Sequence, residues 1–127
     1  ENVQGRDDLI VFGIRLRETD RLIGTCQLLH INRVHRTAEL QIRIGDAAER
    51  GRGYGTEAVA LLVGFAFKDL NLHRVSLQVF ATNARAIHAY EKAGFVREGV
   101  LRQAAHVDGG YVDLVVMGIL REEHDAG

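Results

Sequence analysis

A glycine-rich run separates a strand pattern from a long helical pattern in the middle of this chain. It reads Arg-Gly-Arg-Gly-Tyr-Gly-Thr over residues 50–56. Glycine lets the backbone approach a ligand closely, and the first turn of a helix leaves N–H groups without partners, so such a run can bind phosphate. Arg50 and Arg52 add positive charge beside it. The run is equally typical of a plain loop before a helix, so on these residues alone both interpretations stay open.

Strand patterns surround this run on both sides. Residues 9–14 and 22–29 flank a polar stretch and predict a hairpin, and residues 38–44 alternate apolar and polar side chains as on a half-buried sheet. Apolar residues recur at helical spacing over residues 56–70, and another strand follows at 75–80. The predicted order up to this point is three strands, a helix and a strand.

A second helix and a final hairpin complete the pattern. Asn83 can cap the helix, Ile87 and Tyr90 lie on its inner face, and Gly94 supplies the left-handed residue that ends it. Strand patterns at 95–107 and 111–120 are joined by Asp-Gly-Gly, a strong signal for a tight turn.

Composition limits the classes of protein to consider. With 127 residues, of which 46% are hydrophobic, the chain predicts one domain over residues 1–127. Lysine and arginine number 16 against 17 acidic residues, so we expect neither a nucleic-acid partner nor a membrane surface. Cys26 stands alone in an apolar strand pattern and favours a reducing, cytoplasmic setting.

Two known phosphate motifs fit the glycine-rich run poorly. A P-loop needs a lysine before the Ser or Thr, and here Tyr54 and Gly55 precede Thr56. The dinucleotide fingerprint matches residues 53–58 in form, but residues 45–49 separate the glycines from the strand, and residues 81–83 carry no acid for a ribose.

A second motif, over residues 83–95, reads Asn-Ala-Arg-Ala-Ile-His-Ala-Tyr-Glu-Lys-Ala-Gly-Phe. Together with the run at 50–55, it resembles the GNAT superfamily of acetyl-CoA-dependent N-acetyltransferases. That family's signature is Gln/Arg-x-x-Gly-x-Gly/Ala, and its next helix commonly carries Asn-x-x-Ala-x-x-x-Tyr-x-x-x-Gly-Phe. Residues 38–40, 70–74 and 90–95 are similar to the RimJ/RimL and spermidine acetyltransferase branch.

The resemblance implies an α+β fold with a mixed, mostly antiparallel sheet flanked by helices, and acetyl-CoA as co-substrate with no metal. It places the pantetheine arm between two splayed strands, residues 41–44 and 75–81, and the pyrophosphate on the amides of residues 51–56. The cofactor-binding residues that it implies are Ile42, Arg43, Ile44, Arg50, Gly51, Arg52, Gly53, Tyr54, Gly55, Thr56 and Asn83. Asn83 could equally be an ordinary helix cap, and one side chain could serve both roles.

The chemistry that the resemblance implies needs a proton donor and a base. Tyr90 suits protonation of the departing thiolate, because a phenol with a pKa of about 10 is protonated at neutral pH. From helical spacing alone Tyr90 would be a core aromatic residue. Glu39 is the candidate base for the amine, directly or through water, and its alternative is a solvated strand residue. Asp46 and Glu49 are weaker candidates.

Several functional alternatives accompany this hypothesis. His30 and His35 lack Cys or carboxylate partners at ligand spacing, so we expect no metal site. The acceptor is expected to be a polyamine or a peptide amine, and a homodimer is possible.

GNAT members usually begin with a strand and helices that form much of the acceptor pocket, whereas residues 1–7 alone precede the first strand here, so we expect that segment to be missing. A non-catalytic acyl-CoA-binding module is the alternative function.

Overall fold

The structure, a computed structural model, describes residues 7–45 and 54–126. Within those ranges six strands form one sheet with the spatial order β1-β2-β3-β4-β6-β5. The strands are β1 (Ile10–Arg15), β2 (Leu22–Asn32), β3 (Thr37–Ile44), β4 (Arg74–Phe80), β5 (Val96–Val107) and β6 (Gly110–Leu120). The helices are α1 (Tyr54–Lys68), α2 (Ala84–Lys92) and α3 (Arg121–Ala126).

The sheet is mixed, as the resemblance implies. β3 and β4 run parallel, and the other neighbouring pairs among the described strands are antiparallel. The parallel pair is joined through α1, because a parallel connection must carry the chain back along the sheet. The β5–β6 turn has positive φ at Asp108 (51°) and Gly109 (80°), which is the backbone that a tight two-residue hairpin requires.

One face of the sheet carries the hydrophobic core, and α1 and α2 cover it. In β3, Ala38 and Leu40 are buried in this core, while Glu39, Gln41 and Arg43 point to the opposite face. Leu77 of β4 and Met117 of β6 continue the core across the sheet and are almost fully buried. We call the helix-covered side the inner face and the other side the outer face.

Most of the predicted elements are present, with small shifts at their ends. α1 begins two residues before the predicted start and ends at Lys68 rather than at residue 70. Phe95, predicted to open a strand, instead follows the end of α2 and is buried. Helix α3 was not predicted, because its sequence Arg-Glu-Glu-His-Asp-Ala carries no apolar periodicity.

Candidate functional site

A gap between β3 and β4 is the central feature of the candidate site. The two strands pair at Thr37–Arg74, Ala38–Val75 and Glu39–Ser76, and within the described residues no β3–β4 pair follows. Beyond that point β3 stays paired with β2 as far as Ile44, and β4 stays paired with β6 as far as Phe80. The strands therefore separate after Glu39 and Ser76, and we call this opening the split.

The split differs in extent from the sequence prediction. Separation was expected from residue 75 of the second strand, but Val75 and Ser76 are still paired with β3. Ala81 lies beyond the end of β4, and its N–H donates to the carbonyl of Asp113 at 2.9 Å. The open part therefore comprises residues 40–44 of β3 and residues 77–80 of β4, which contains the predicted contacts Ile42, Arg43 and Ile44.

The first turn of α1 lies beside the open end of β3. A Cβ atom built on Gly55 would lie 3.9 Å from Cδ1 of Ile42, so these two residues are neighbours across the helix–sheet interface. That separation is an ordinary contact, so the packing of this chain does not itself require glycine at position 55. The unpartnered N–H groups of the first helical turn are therefore next to the split.

Part of the predicted phosphate cradle lies outside the described residues. This holds for Arg50, Gly51, Arg52 and Gly53, and also for the weaker base candidates Asp46 and Glu49. Tyr54, Gly55 and Thr56 form the start of α1, where Thr56 is exposed.

The hydrogen bonds that end α2 fix the position of Tyr90. The N–H of Gly94 donates to the carbonyl of Glu91 at 3.0 Å, and the N–H of Phe95 donates to the carbonyl of Tyr90 at 3.0 Å. Gly94 has φ +106°, so the helix closes in a Schellman motif. This motif commonly brings the side chains at its two ends together, and the rings of Tyr90 and Phe95 meet edge to face with centroids 5.9 Å apart.

The environment of Tyr90 suits a proton donor. The side chain is partly buried and packs against the core. Burial raises the pKa of the Tyr90 phenol above its usual value, because the phenolate would lose its hydration. The hydroxyl therefore carries its proton at neutral pH. The core role that helical spacing suggests is also present, so packing and proton donation are compatible in one residue.

Asn83 caps α2. Its Oδ1 accepts a hydrogen bond from the N–H of Ala86 at 3.1 Å, and its backbone carbonyl accepts from the N–H of Ile87 at 3.1 Å. Both are the bonds expected of an N-cap residue. The capping prediction is confirmed, and the amide nitrogen of the exposed side chain is left for other contacts.

Glu39 lies on the outer face at the closed end of the split. Its Oε1 is 2.9 Å from Nδ1 of His30, and its side chain is 28% exposed. Tyr90 belongs to α2, which covers the inner face. The two predicted catalytic residues thus lie on opposite sides of the sheet, with the split between them.

Sequence reasoning missed two polar features of the outer face. His30 was considered only as a metal ligand, and the strand irregularity that brings its ring to Glu39 was not predicted. Arg74 forms a bidentate ion pair with Glu98, at 2.7 and 2.6 Å, over the backbone of Gly118. A Cβ on Gly118 would lie 2.6 Å from both partners, so glycine at this position makes room for the pair.

In the part of the chain that the structure describes, no three His, Cys, Asp or Glu side chains lie close enough to hold a metal ion. No helix in the described ranges has the length and apolar content that crossing a membrane would require.

A cavity of about 620 Å³ lies between β1 and the first half of α1 and was not predicted. None of the described residues that line it belongs to residues 40–44 or 77–80, so it is distinct from the split. Apolar side chains form most of its wall, among them Phe12, Ile14, Cys26, Leu61, Leu62 and Phe65.

Comparison with known families decides the family of this chain. A family model described as an acetyltransferase (GNAT) domain matches residues 2–96. The chain belongs to the GNAT acetyltransferase family. Both sequence motifs fall within the matched residues, so the resemblance on which the site was predicted is confirmed at the level of the family.

Curated GNAT relatives cover most of this chain. A spermidine N(1)-acetyltransferase of Vibrio cholerae is 38% identical over 103 residues, which is 81% of this chain and 59% of the relative. A probable N-acetyltransferase of Bacillus subtilis, YjcK, is 38% identical over 121 residues, 94% of this chain and 66% of the relative. The chain thus spans about three fifths to two thirds of the length of these two relatives.

Solved structures confirm the GNAT fold. A chimera of the spermidine N-acetyltransferase SpeG from Vibrio cholerae with hSSAT superimposes with a TM-score of 0.91 at 32% identity, covering 97% of this chain and 76% of that one. Spermidine N-acetyltransferase from Vibrio cholerae in complex with CoA and spermine gives a TM-score of 0.87 at 34% identity, covering 93% of this chain and 69% of that one.

Proposed function

We propose that this chain transfers an acetyl group from acetyl-CoA to a primary amine, with a polyamine as the preferred acceptor. The observation that carries this proposal is the split between β3 and β4, which opens after Glu39 and Ser76 beside the first turn of α1. An extended ligand arm can hydrogen-bond there like an added strand, and the helix terminus can bind an anion at the same end.

The residues available at this place fit coenzyme A. Backbone groups of Ile42, Arg43 and Ile44 would bind the amides of the pantetheine arm. The amides of residues 51–56, with Arg50 and Arg52, would bind the pyrophosphate, since the helix terminus favours negative charge. Asn83 would contact the arm through its amide nitrogen while its oxygen keeps the cap.

Glu39 and Tyr90 divide the proton chemistry between the two faces of the sheet. Bound acetyl-CoA would supply a thioester, so that an N–C bond forms to the acetyl carbon and the C–S bond to the thiol breaks. Glu39 would accept the proton of the incoming ammonium on the outer face, and Tyr90 would give its proton to the departing sulfur from the inner side. An amine with a pKa near 10.4 needs such a base at neutral pH.

The acceptor class is supported by the relatives rather than by a pocket in this chain. The names of two relatives, from Vibrio cholerae and Escherichia coli, specify spermidine, and one similar structure contains spermine. Glu39 supplies one carboxylate on the outer face for a cationic acceptor. A peptide amine is the competing acceptor within the same reaction.

Assembly and location are further parts of the proposal. A similar spermidine N-acetyltransferase structure is described as dodecameric, which supports self-association of this chain. A homodimer stays a prediction that light scattering would check. We also propose a cytoplasmic location, because Cys26 is a buried free thiol, the state that a reducing compartment maintains.

A thiol-release assay tests the proposed function. The chain is incubated with acetyl-CoA and, separately, with spermidine, spermine, a peptide with a free N-terminus and a lysine peptide. We expect amine-dependent release of CoA that is greatest with the polyamines. Gly53→Val should abolish binding of CoA in a calorimetric titration, because a branched side chain would occupy the space of the pyrophosphate. Binding of CoA without release for any amine would instead indicate a non-catalytic binding module.

A further inference from the structure

An extra residue in β2 changes the direction in which the side chain of His30 points. The β2–β3 register runs through Leu29–Glu39 and resumes at Asn32–Thr37, so three steps along β2 match two along β3. This is a β-bulge, a feature that often redirects a side chain beside an active site. His30 lies in the bulge with φ +54°, in the left-handed region that histidine, like Asn and Asp, adopts more often than most residues.

The bulge changes which face His30 occupies. Leu28 is buried in the inner core, so strict alternation would place Leu29 on the outer face and His30 on the inner one. Instead Ile31 is buried, at 8% exposure, and its N–H donates to the carbonyl of Asp8 at 3.0 Å. His30 is thereby free to lie on the outer face next to Glu39, with Nδ1 2.9 Å from Oε1.

Stability alone gives little reason for this arrangement. The side chain of His30 is 68% exposed and that of Glu39 is 28% exposed, and ion pairs between exposed groups contribute little to folding. The bulge places His30 against Glu39 at the closed end of the split, and bulges of this kind are common next to active sites.

We propose that His30 is a positioning residue for Glu39 in the acetyl transfer; this inference rests on the proposed function. An ionised carboxylate only accepts hydrogen bonds, so His30 donates from Nδ1 to Oε1 of Glu39. That bond fixes the orientation of the carboxylate and leaves Oε2 to accept the proton of the amine on the outer face. His30 itself touches neither the amine nor the thioester.

Substitutions at position 30 can change the side chain while keeping the left-handed backbone. His30→Gly keeps the left-handed backbone and removes the ring, and we expect kcat to fall about 10-fold or more with KM for acetyl-CoA unchanged. His30→Asn tolerates the same backbone and places an amide nitrogen two bonds from Cβ, as Nδ1 is, so it should restore most of kcat. His35→Asn, an exposed histidine in the following turn, is the matched control and should leave kcat unchanged.

A double-mutant cycle with Glu39→Gln decides whether His30 acts through Glu39. Glu39→Gln should lower kcat, and adding His30→Gly to it should cause no further fall, because the positioned carboxylate is already gone. Equal fold losses in the presence and absence of Glu39 would overturn the inference, as would full activity of His30→Gly. Both results leave an active wild type and hence the proposed function intact. A wild type that releases no thiol with any amine would overturn both.

A second measurement does not depend on activity. Nitrogen NMR of the imidazole should show the Nδ1–H tautomer of His30 in the wild type, and that signature should disappear in Glu39→Ala, which removes the acceptor. A wild-type His30 in the Nε2–H tautomer, with no change in Glu39→Ala, would show that the hydrogen bond is absent in solution and would overturn the inference.

Discussion

The ring of Tyr90 meets the ring of Phe95 edge to face, with centroids 5.9 Å apart, across the turn that ends α2. The same turn joins their backbones, because the N–H of Phe95 donates to the carbonyl of Tyr90 at 3.0 Å. The sequence Tyr-x-x-x-Gly-Phe therefore encodes a helix end as well as a family motif. The position of the proposed proton donor depends on this helix end.

Gly94→Ala should destabilise the protein by about 1–3 kcal/mol, because φ +106° is strained for any residue with a Cβ. The new Cβ would also lie 3.1 Å from Cδ1 of Ile119. Chemical denaturation measures the effect. Gly64→Ala is the matched control in α1, where a Cβ meets no atom within 4 Å. It should stabilise by about 0.5–1 kcal/mol, and equal effects at the two positions would refute the helix-end argument.

Tyr90→Phe should lower kcat about 100-fold and leave KM for acetyl-CoA nearly unchanged, because it removes only the proton donor. The ring contact with Phe95 is retained, so the unfolding midpoint should move little. Tyr111→Phe, an exposed tyrosine in the β5–β6 hairpin, should have no effect on kcat. An active Tyr90→Phe variant would leave Tyr90 with the packing role alone.

Ionisation of Tyr90 should cause no fall in kcat between about pH 7 and about pH 9.5. Burial raises the pKa of the Tyr90 phenol, so the group stays protonated up to and beyond about pH 10. A stopped assay from about pH 7 to about pH 9.5 checks this expectation. A fall in kcat within that range that vanishes in Tyr90→Phe would mean that Tyr90 ionises early, contrary to its burial.

Glu98→Gln should reduce the acid sensitivity of folding. The hydrogen bond from Arg74 lowers the pKa of the Glu98 carboxyl below its usual value. A lowered folded-state pKa stabilises the native state above the unfolded-state pKa, and this stabilisation is lost as pH falls through the folded-state pKa. Urea denaturation at pH values from about 6 down to about 3 should give a shallower slope for Glu98→Gln than for wild type. Arg74→Gln should flatten the slope equally, and parallel curves for all three proteins would contradict the ion pair.

Much of the fold could be predicted from local patterns. Alternation in β3 and helical periodicity in α1 follow directly from burial on one face, and Asn83 and Gly94 mark the two ends of α2. Each of these signals is formed by residues close together in sequence, so it can be recognised from the sequence alone. α3 was not predicted, because its polar sequence has no buried residues and therefore no apolar periodicity.

The candidate site was predictable only in part. The split follows from the register of β3 and β4, which are distant in sequence, and it was expected only through the family resemblance. The bulge at His30 gave no sequence signal, because its positive φ falls on a histidine between two apolar residues and no glycine marks the place. The room that Gly118 leaves for Arg74 and Glu98 likewise depends on three strands meeting.

A crystal structure of this protein with CoA tests the central claim most directly. We predict that the pantetheine arm lies in the split between residues 40–44 and 77–80, with the pyrophosphate on the amides of residues 51–56. The sulfur should then lie within hydrogen-bond reach of the Tyr90 hydroxyl, at most about 4 Å away. CoA bound elsewhere, such as in the cavity between β1 and α1, or a Tyr90 hydroxyl directed away from the sulfur, would contradict the account.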